Sequence, residues 1–168
     1  MKLKPLLATV LTVAGCTFLT GAAKAQSNFN ITFYSNNGAT GSGEGSFGDF
    51  KPGTSDIPVG VAYYPLPLYQ LANLKDYRRD PAGSFTSLND RAHSAKIFAP
   101  AGLTFVVYDH PNGSTGEDYV EIYVKKATYG YGLWNFEKSF EDEFLRVTYY
   151  KKGGESLDGQ VSAVIVRN

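Results

Sequence analysis

The feature that most constrains the fold of this chain is an internal repeat of two segments in the same order. The segment Tyr34-Ser-Asn-Asn-Gly-Ala-Thr-Gly41 returns as Tyr108-Asp-His-Pro-Asn-Gly-Ser-Thr-Gly116, and each copy follows a short apolar stretch. Further along, Asp90-Arg-Ala-His-Ser-Ala-Lys-Ile97 returns as Asp158-Gly-Gln-Val-Ser-Ala-Val-Ile165. In each pair, the second copy follows the first at a similar distance along the chain. The repeat therefore predicts two units of similar structure in one chain.

Each unit has the pattern of antiparallel β-structure. Asn-Gly supplies positive backbone φ angles at low cost, so its presence between apolar stretches predicts a tight hairpin early in each unit. A small sheet of this kind leaves one apolar face uncovered. Packing the two units against each other buries both faces. The predicted fold is therefore all-β, a β-sandwich made from two repeats.

The strand pattern along the chain agrees with this fold. Short apolar and aromatic stretches are bounded by Gly, Asn, Asp or Pro, which is typical of strands. One segment departs from the pattern, because Phe136, Phe140 and Phe144 are spaced four positions apart, and this indicates a short helix or turn over 135–145. The predicted strands are Ile31–Tyr34, Leu103–Tyr108, Tyr119–Val124, Phe144–Tyr150 and Val161–Val166.

The repeated segments resemble the βγ-crystallin family. Its Greek-key motif has an aromatic residue and a glycine seven positions apart in the first hairpin, and Tyr34 to Gly41 has this spacing. The family's calcium-binding pattern, Asn/Asp-Asn/Asp-x-x-Ser/Thr-Ser, is similar to Asn89-Asp-Arg-Ala-His-Ser94 and, in degraded form, to Asp158-Gly-Gln-Val-Ser162. The resemblance implies a single domain over 26–168. Its Greek keys would span about 30–99 and 103–168, packed as a β-sandwich.

The resemblance also implies weak calcium binding. Calcium takes six to eight oxygen ligands from carboxylates, carbonyls, hydroxyls and water. Carried over position by position, the resemblance makes Asp90 and Asp158 carboxylate ligands, with Ser94 and Ser162 as hydroxyl ligands. Asn89 would fill an acidic position, and backbone carbonyls near Arg91 and Gln160 would complete the shell.

Two alignments of the calcium pattern remain open. If Asn89 and Asp90 fill its two acidic positions, His93 stands where a hydroxyl residue is expected. If Asp90 instead aligns with Asp158, as the internal repeat suggests, the second acidic position holds Arg91 and Gly159. The competing interpretation is that these Asp and Ser residues bond to backbone amides in turns before a strand.

The segment 1–25 is expected to be a signal peptide. It has a basic start, an apolar run and a small-x-small sequence that ends at Ala25. Its removal takes away three of the 16 basic residues and none of the 16 acidic ones, and the resulting net charge of about −3 argues against nucleic-acid binding. No later apolar run is long enough to span a bilayer. The protein is therefore expected to be exported to the periplasm or secreted. Lipid attachment at Cys16 is the less favoured alternative.

The function expected from the sequence is non-enzymatic, with calcium binding and a structural or stress-related role. The alternative is a secreted protein-binding module, inhibitor or toxin-like, acting through the long segments 51–87 or 125–143. A secreted hydrolase is the third and least favoured class. The two histidines, His93 and His110, are interpreted as loop residues, because Asp109 and His110 are adjacent and cannot easily face each other.

Overall fold

The computed structural model describes residues 28–51, 53, 61–77, 87–153 and 156–168. The expected signal peptide, residues 1–25, lies outside the described part. The described chain contains eleven strands and one 3-10 helix, Leu74–Asp76. The strands are β1 (Asn30–Asn36), β2 (Thr40–Gly48), β3 (Tyr63–Pro65), β4 (Leu71–Asn73), β5 (Ser94–Ala99), β6 (Thr104–Tyr108), β7 (Tyr119–Val124), β8 (Thr128–Leu133), β9 (Phe140–Glu141), β10 (Leu145–Tyr150) and β11 (Ala163–Arg167).

The strands form two sheets, which confirms the predicted all-β sandwich. The five-stranded sheet has the order β3-β2-β1-β5-β8, and the six-stranded sheet has the order β4-β11-β6-β7-β10-β9. Neighbouring strands are antiparallel except β2 and β3, which are parallel. The segment 135–145, predicted to form a short helix or turn, contains no helix; it contains bends, the two-residue strand β9 and the start of β10.

The two halves of the chain use their strands in the same way. In the first half, β1, β2 and β5 are neighbours in the five-stranded sheet, while β4 lies in the other sheet beside β11. In the second half, β6, β7 and β11 are neighbours in the six-stranded sheet, while β8 lies in the other sheet beside β5. Each half therefore gives one strand to the sheet of the other half, and the two cannot be separated without breaking strand pairs.

The core is one continuous cluster of buried apolar side chains between the sheets. Phe29 and Phe105 come from opposite sheets and meet edge to face at 5.9 Å between ring centroids. Phe33 contacts both Phe47 and Phe136 in the same geometry. Aromatic rings in this arrangement add about 0.5–1.5 kcal/mol per pair beyond the burial of their area. The aromatic-rich sequence is thus used largely to fill the sandwich interior.

The two predicted hairpins differ in the structure. Asn36 pairs with Thr40, so Asn37, Gly38 and Ala39 form a tight turn between β1 and β2, as predicted. In the second half, strands β6 and β7 are joined by the longer connection 109–118.

A buried carboxylate fixes the end of that longer connection. Asp118 Oδ1 accepts hydrogen bonds from the backbone N–H groups of Lys152 (2.7 Å) and Gly153 (3.3 Å), and Oδ2 accepts one from the Tyr149 hydroxyl. Burial raises the pKa of Asp118, but these donors outweigh it and hold the pKa below the usual value of an aspartate. The carboxylate therefore joins the β6–β7 connection to the chain that follows β10.

Within the described residues, no helix is both long and apolar enough to cross a membrane.

Candidate cation site

The residues predicted to bind calcium lie in two turns, one before β5 and one before β11. Asp90 N–H donates to Val161 O at 3.1 Å, and Gly159 N–H donates to Ala92 O at 3.1 Å. Each turn therefore holds the other through a backbone hydrogen bond, and the two bonds occupy equivalent places in the two halves. We call the segments 87–93 and 156–162 the paired turns.

Further hydrogen bonds also occur at equivalent positions of the two turns. Within the paired turns, Asn89 N–H bonds to the Ser87 hydroxyl and Asp158 N–H bonds to the Ser156 hydroxyl, both at 3.2 Å. At the ends of the turns, His93 N–H donates to Tyr34 O at 2.9 Å, and Ser162 N–H donates to Tyr108 O at 2.8 Å. The structural repeat is therefore Ser87-Leu-Asn-Asp-Arg-Ala-His93 against Ser156-Leu-Asp-Gly-Gln-Val-Ser162.

This register corrects the alignment based on the repeated Asp-x-x-x-Ser pattern, which is wrong by one position. Asp90 is equivalent to Gly159, not to Asp158, and both have positive φ angles, 57° and 77°. Asn89 is equivalent to Asp158. The backbone conformation explains the register, because asparagine, aspartate and glycine tolerate left-handed geometry better than other residues. Of the two alignments left open by the sequence, the structure supports the one that puts His93 at the hydroxyl position.

Side chains also join the two turns. The Ser162 hydroxyl donates to Asp90 Oδ1 at 3.1 Å and to Gln160 O at 3.4 Å. In the other direction, His93 Nδ1 lies 2.6 Å from Asp158 Oδ1. The His93 and Asp158 side chains are about one-third exposed, at 36% and 30%. Each half therefore contributes one carboxylate that contacts a polar side chain of the opposite half.

Ser94 has a different role from the one predicted. Its hydroxyl donates to Asn36 O and accepts a hydrogen bond from Ala39 N–H at 2.9 Å. These two groups lie just before the tight turn between β1 and β2 and at its last residue, and Ser94 itself is fully buried. Ser94 therefore fixes the hairpin, and its hydroxyl is not a candidate ligand.

The side chain of Arg91 is held away from the carboxylates of the paired turns. Its Nε donates to Glu44 Oε2 on β2 at 2.7 Å. Glu44 is buried, with 1% of its side chain exposed. Glu44 lies in the glycine-rich stretch of β2, where no sequence pattern indicates a site residue. Its pairing removes the positive charge that would oppose a cation, and the Arg91 carbonyl remains a candidate ligand.

One side-chain oxygen in the paired turns is buried without a partner. Asn89 Oδ1 accepts no hydrogen bond from any residue that the structure describes. A buried acceptor without a partner costs about 1–3 kcal/mol, so this atom is suited to a cation or a water molecule.

The chemistry of the donor set favours a hard cation. Across residues 28–51, 53, 61–77, 87–153 and 156–168, no three His, Cys, Asp or Glu side chains cluster as a metal site. The donors of the paired turns are mainly amide, hydroxyl and carbonyl oxygens with two carboxylates. Such a set suits a hard cation better than a soft one.

The chain was compared with protein-family models, with curated proteins and with solved structures, and no match was found in any of them.

Proposed function

We propose that this protein is a non-enzymatic, exported β-sandwich of βγ-crystallin type that binds calcium weakly at the paired turns. The strand order supports the fold relationship. A Greek key places its fourth strand beside the first, in the spatial order 4-1-2-3. The neighbours β5, β1 and β2 follow the 4-1-2 part of this order, as do β11, β6 and β7, while β4 of the first half and β8 of the second half lie in the opposite sheet.

The observation that carries calcium binding is the reciprocal contact between the paired turns. Asp90 contacts Ser162, and Asp158 contacts His93, so each turn places a carboxylate against a polar side chain of the other turn. The ligands would be carboxylate oxygens of Asp90 and Asp158, the unpartnered Asn89 Oδ1, the Ser162 hydroxyl and the carbonyls of Arg91 and Gln160. Water would complete the six to eight positions that calcium requires.

Weak affinity follows from the composition of this set. The paired turns carry only two carboxylates, and Asp158 is already paired with the His93 ring. A bound calcium ion would have to displace that ring or share the carboxylate with it. Extracellular calcium modules have Kd values of about 10⁻⁴–10⁻³ M, and we place this site in that range. The ion would stabilise the contact between the halves, which suits a structural or stress-related role.

The test is calorimetric titration of calcium chloride into chelator-treated protein that begins at Gln26. At about 10 mM calcium, binding in the proposed range stabilises the fold by about 1.4–2.7 kcal/mol. Asp90→Asn and Asp158→Asn should each reduce the heat signal and the increase in melting temperature. Glu143→Gln removes the same charge from an exposed pair with Lys126 and should change neither. Magnesium should not replace calcium, because it requires a smaller octahedral shell.

The chain also supplies a variant that should gain affinity. His93→Ser gives the first turn the residue that the second turn has at the equivalent position, Ser162. This change frees Asp158 and adds a hydroxyl, so the calcium Kd should fall. If calcium produces no heat and moves the melting temperature of the natural protein by less than a degree, the proposal is wrong and the paired turns are purely structural.

A further inference from the structure

A groove lies on the side of the sandwich where the edges of the two sheets meet. Strand β8 is the edge of the five-stranded sheet, and β9 is the edge of the six-stranded sheet. The groove has a volume of about 440 Å³, within the range of small-ligand sites. It is lined by Tyr131, Gly132, Trp134, Asn135, Lys138, Phe140 and Asp142.

Trp134 is exposed but held in place. Its side chain is 70% exposed, whereas its neighbours Leu133 and Phe136 are fully buried. The backbone on either side is therefore anchored in the core. Gly38 N–H bonds to Trp134 O at 2.8 Å, and the six-membered ring packs against Gly38 so closely that a Cβ there would lie 3.0 Å from it. The indole is thus a fixed aromatic surface open to solvent.

Another part of the groove is polar and rigid. Asp142 Oδ2 accepts a hydrogen bond from the Tyr131 hydroxyl, and Oδ1 accepts bonds from the N–H groups of Phe144 and Leu145, both at 2.8 Å. Burial raises the pKa of Asp142, but these donors outweigh it and lower the pKa. Burial, followed by the hydrogen bond to Asp142, raises the pKa of Tyr131 to about 12. The carboxylate therefore stays ionised and the phenol stays neutral at ordinary pH.

Two further groups present donors to the groove. Asn135 uses its Oδ1 to accept from Glu137 N–H at 3.2 Å, which leaves its amide N–H groups for a ligand. Lys138 is exposed and makes no ion pair with any residue that the structure describes. The groove thus combines an aromatic surface with amide and ammonium donors and a carboxylate acceptor.

We propose that this groove binds a saccharide chain and that Lys138 favours chains carrying carboxylate groups. A sugar ring has an apolar C–H face that can cover the indole and hydroxyl groups at its edge that can bond to Asn135, Lys138 and Asp142. An apolar peptide would bury these polar groups without partners, at a cost of about 1–3 kcal/mol each. A small inorganic anion would leave Trp134 uncovered. None of the groove residues belongs to the paired turns, and the proposal does not depend on calcium binding.

Trp134 is the only tryptophan of the chain, so its fluorescence reports on the groove alone. The experiment titrates the protein from Gln26 onward with cellohexaose, chitohexaose and a hexameric oligogalacturonate. Binding should shift or quench the emission, with the oligogalacturonate binding most tightly. Trp134→Ala should weaken binding by about tenfold or more in calorimetry, as expected for an exposed aromatic anchor. Lys138→Gln should remove the preference for the oligogalacturonate and weaken binding of the neutral chains less than that of the oligogalacturonate.

Tyr129→Ala is the matched control, because Tyr129 lies on the same strand as Tyr131, is 89% exposed and does not line the groove. It should leave binding unchanged. The proposal is overturned if no oligosaccharide gives heat or a fluorescence change at 10 mM, or if Trp134→Ala binds as well as the natural protein. It is also overturned if the emission shifts with protein concentration alone, since the groove would then be a contact between two copies of the chain.

Discussion

Replacing Ser94 by alanine separates the hairpin function of this residue from the ligand function expected from the sequence. The Ser94 hydroxyl donates to Asn36 O and accepts from Ala39 N–H, and both contacts are lost in the variant. Ser94 is fully buried and Ala39 is 8% exposed, so water cannot easily replace the hydroxyl. The side-chain volume changes little, so the loss of stability in Ser94→Ala comes almost entirely from the lost hydrogen bonds.

The magnitude follows from these two contacts. A typical hydrogen bond contributes about 1 kcal/mol net, and leaving a buried partner unsatisfied adds to that cost. We therefore expect Ser94→Ala to lower the free energy of unfolding by about 2–3 kcal/mol. For a domain of this size, that corresponds to a decrease in melting temperature of about 6–12 °C.

The assay is urea unfolding and differential scanning calorimetry of the natural protein and of Ser94→Ala, each in chelator and in 10 mM calcium. The loss of stability should be the same in both buffers, because Ser94 is not a ligand. Ser162→Ala, by contrast, should reduce the stabilisation by calcium. A loss below about 0.5 kcal/mol, the size typical of a surface substitution that breaks no contact, would refute the assignment of Ser94 to the hairpin. A calcium effect that disappears in Ser94→Ala would refute it as well.

Three further substitutions test other contacts. Asp118→Asn should destabilise the fold at neutral pH. Because the folded-state pKa of Asp118 is lowered, the carboxylate stabilises the fold above its unfolded pKa of about 3.9 and loses this effect as the pH falls through the folded value. The difference between variant and natural protein in urea unfolding should therefore shrink under acid conditions. Arg91→Ala leaves the buried carboxylate of Glu44 unpaired and should cost about 3–5 kcal/mol in the same assay, and a loss below about 1 kcal/mol would contradict this pairing. Gly38→Ala places a Cβ against the Trp134 ring at a residue with a φ of 73°, so both the stability and the tryptophan emission spectrum should change. Unchanged emission would show that the ring does not pack against Gly38.

Features of the fold that depend on local sequence were predictable. The alternation of apolar residues in Tyr119–Val124 matches the observed alternation of buried and partly exposed side chains in β7. Asn37 and Gly38 form the expected tight turn. For 135–145, where a short helix or turn was predicted, the structure has no helix, and the spacing of the phenylalanines arises from successive turns. In one of these turns Asn135 accepts from Glu137 N–H, and in another Asp142 accepts from two backbone N–H groups.

The candidate site was only partly predictable, because its register depends on backbone geometry. The repeated Asp-x-x-x-Ser letters matched Asp90 with Asp158, whereas the backbone hydrogen bonds match Asp90 with Gly159. The signal that could have found this register is Ser-Leu-Asn-Asp against Ser-Leu-Asp-Gly, which aligns buried Leu88 with buried Leu157. The contacts of the His93 and Arg91 side chains join residues far apart in the chain, and no local pattern shows them.

The exchange of strands between the two halves has a consequence for how the protein is made. Strand β4, Leu71–Asn73, pairs only with β11, Ala163–Arg167, among the strands that the structure describes. A chain emerging from the ribosome therefore cannot complete even its first half until β11 has been synthesised. Contacts between such distant segments slow folding, and incomplete β-structure exposes unpaired strand edges in the meantime. The nascent chain should consequently stay open and available to chaperones until β11 has emerged.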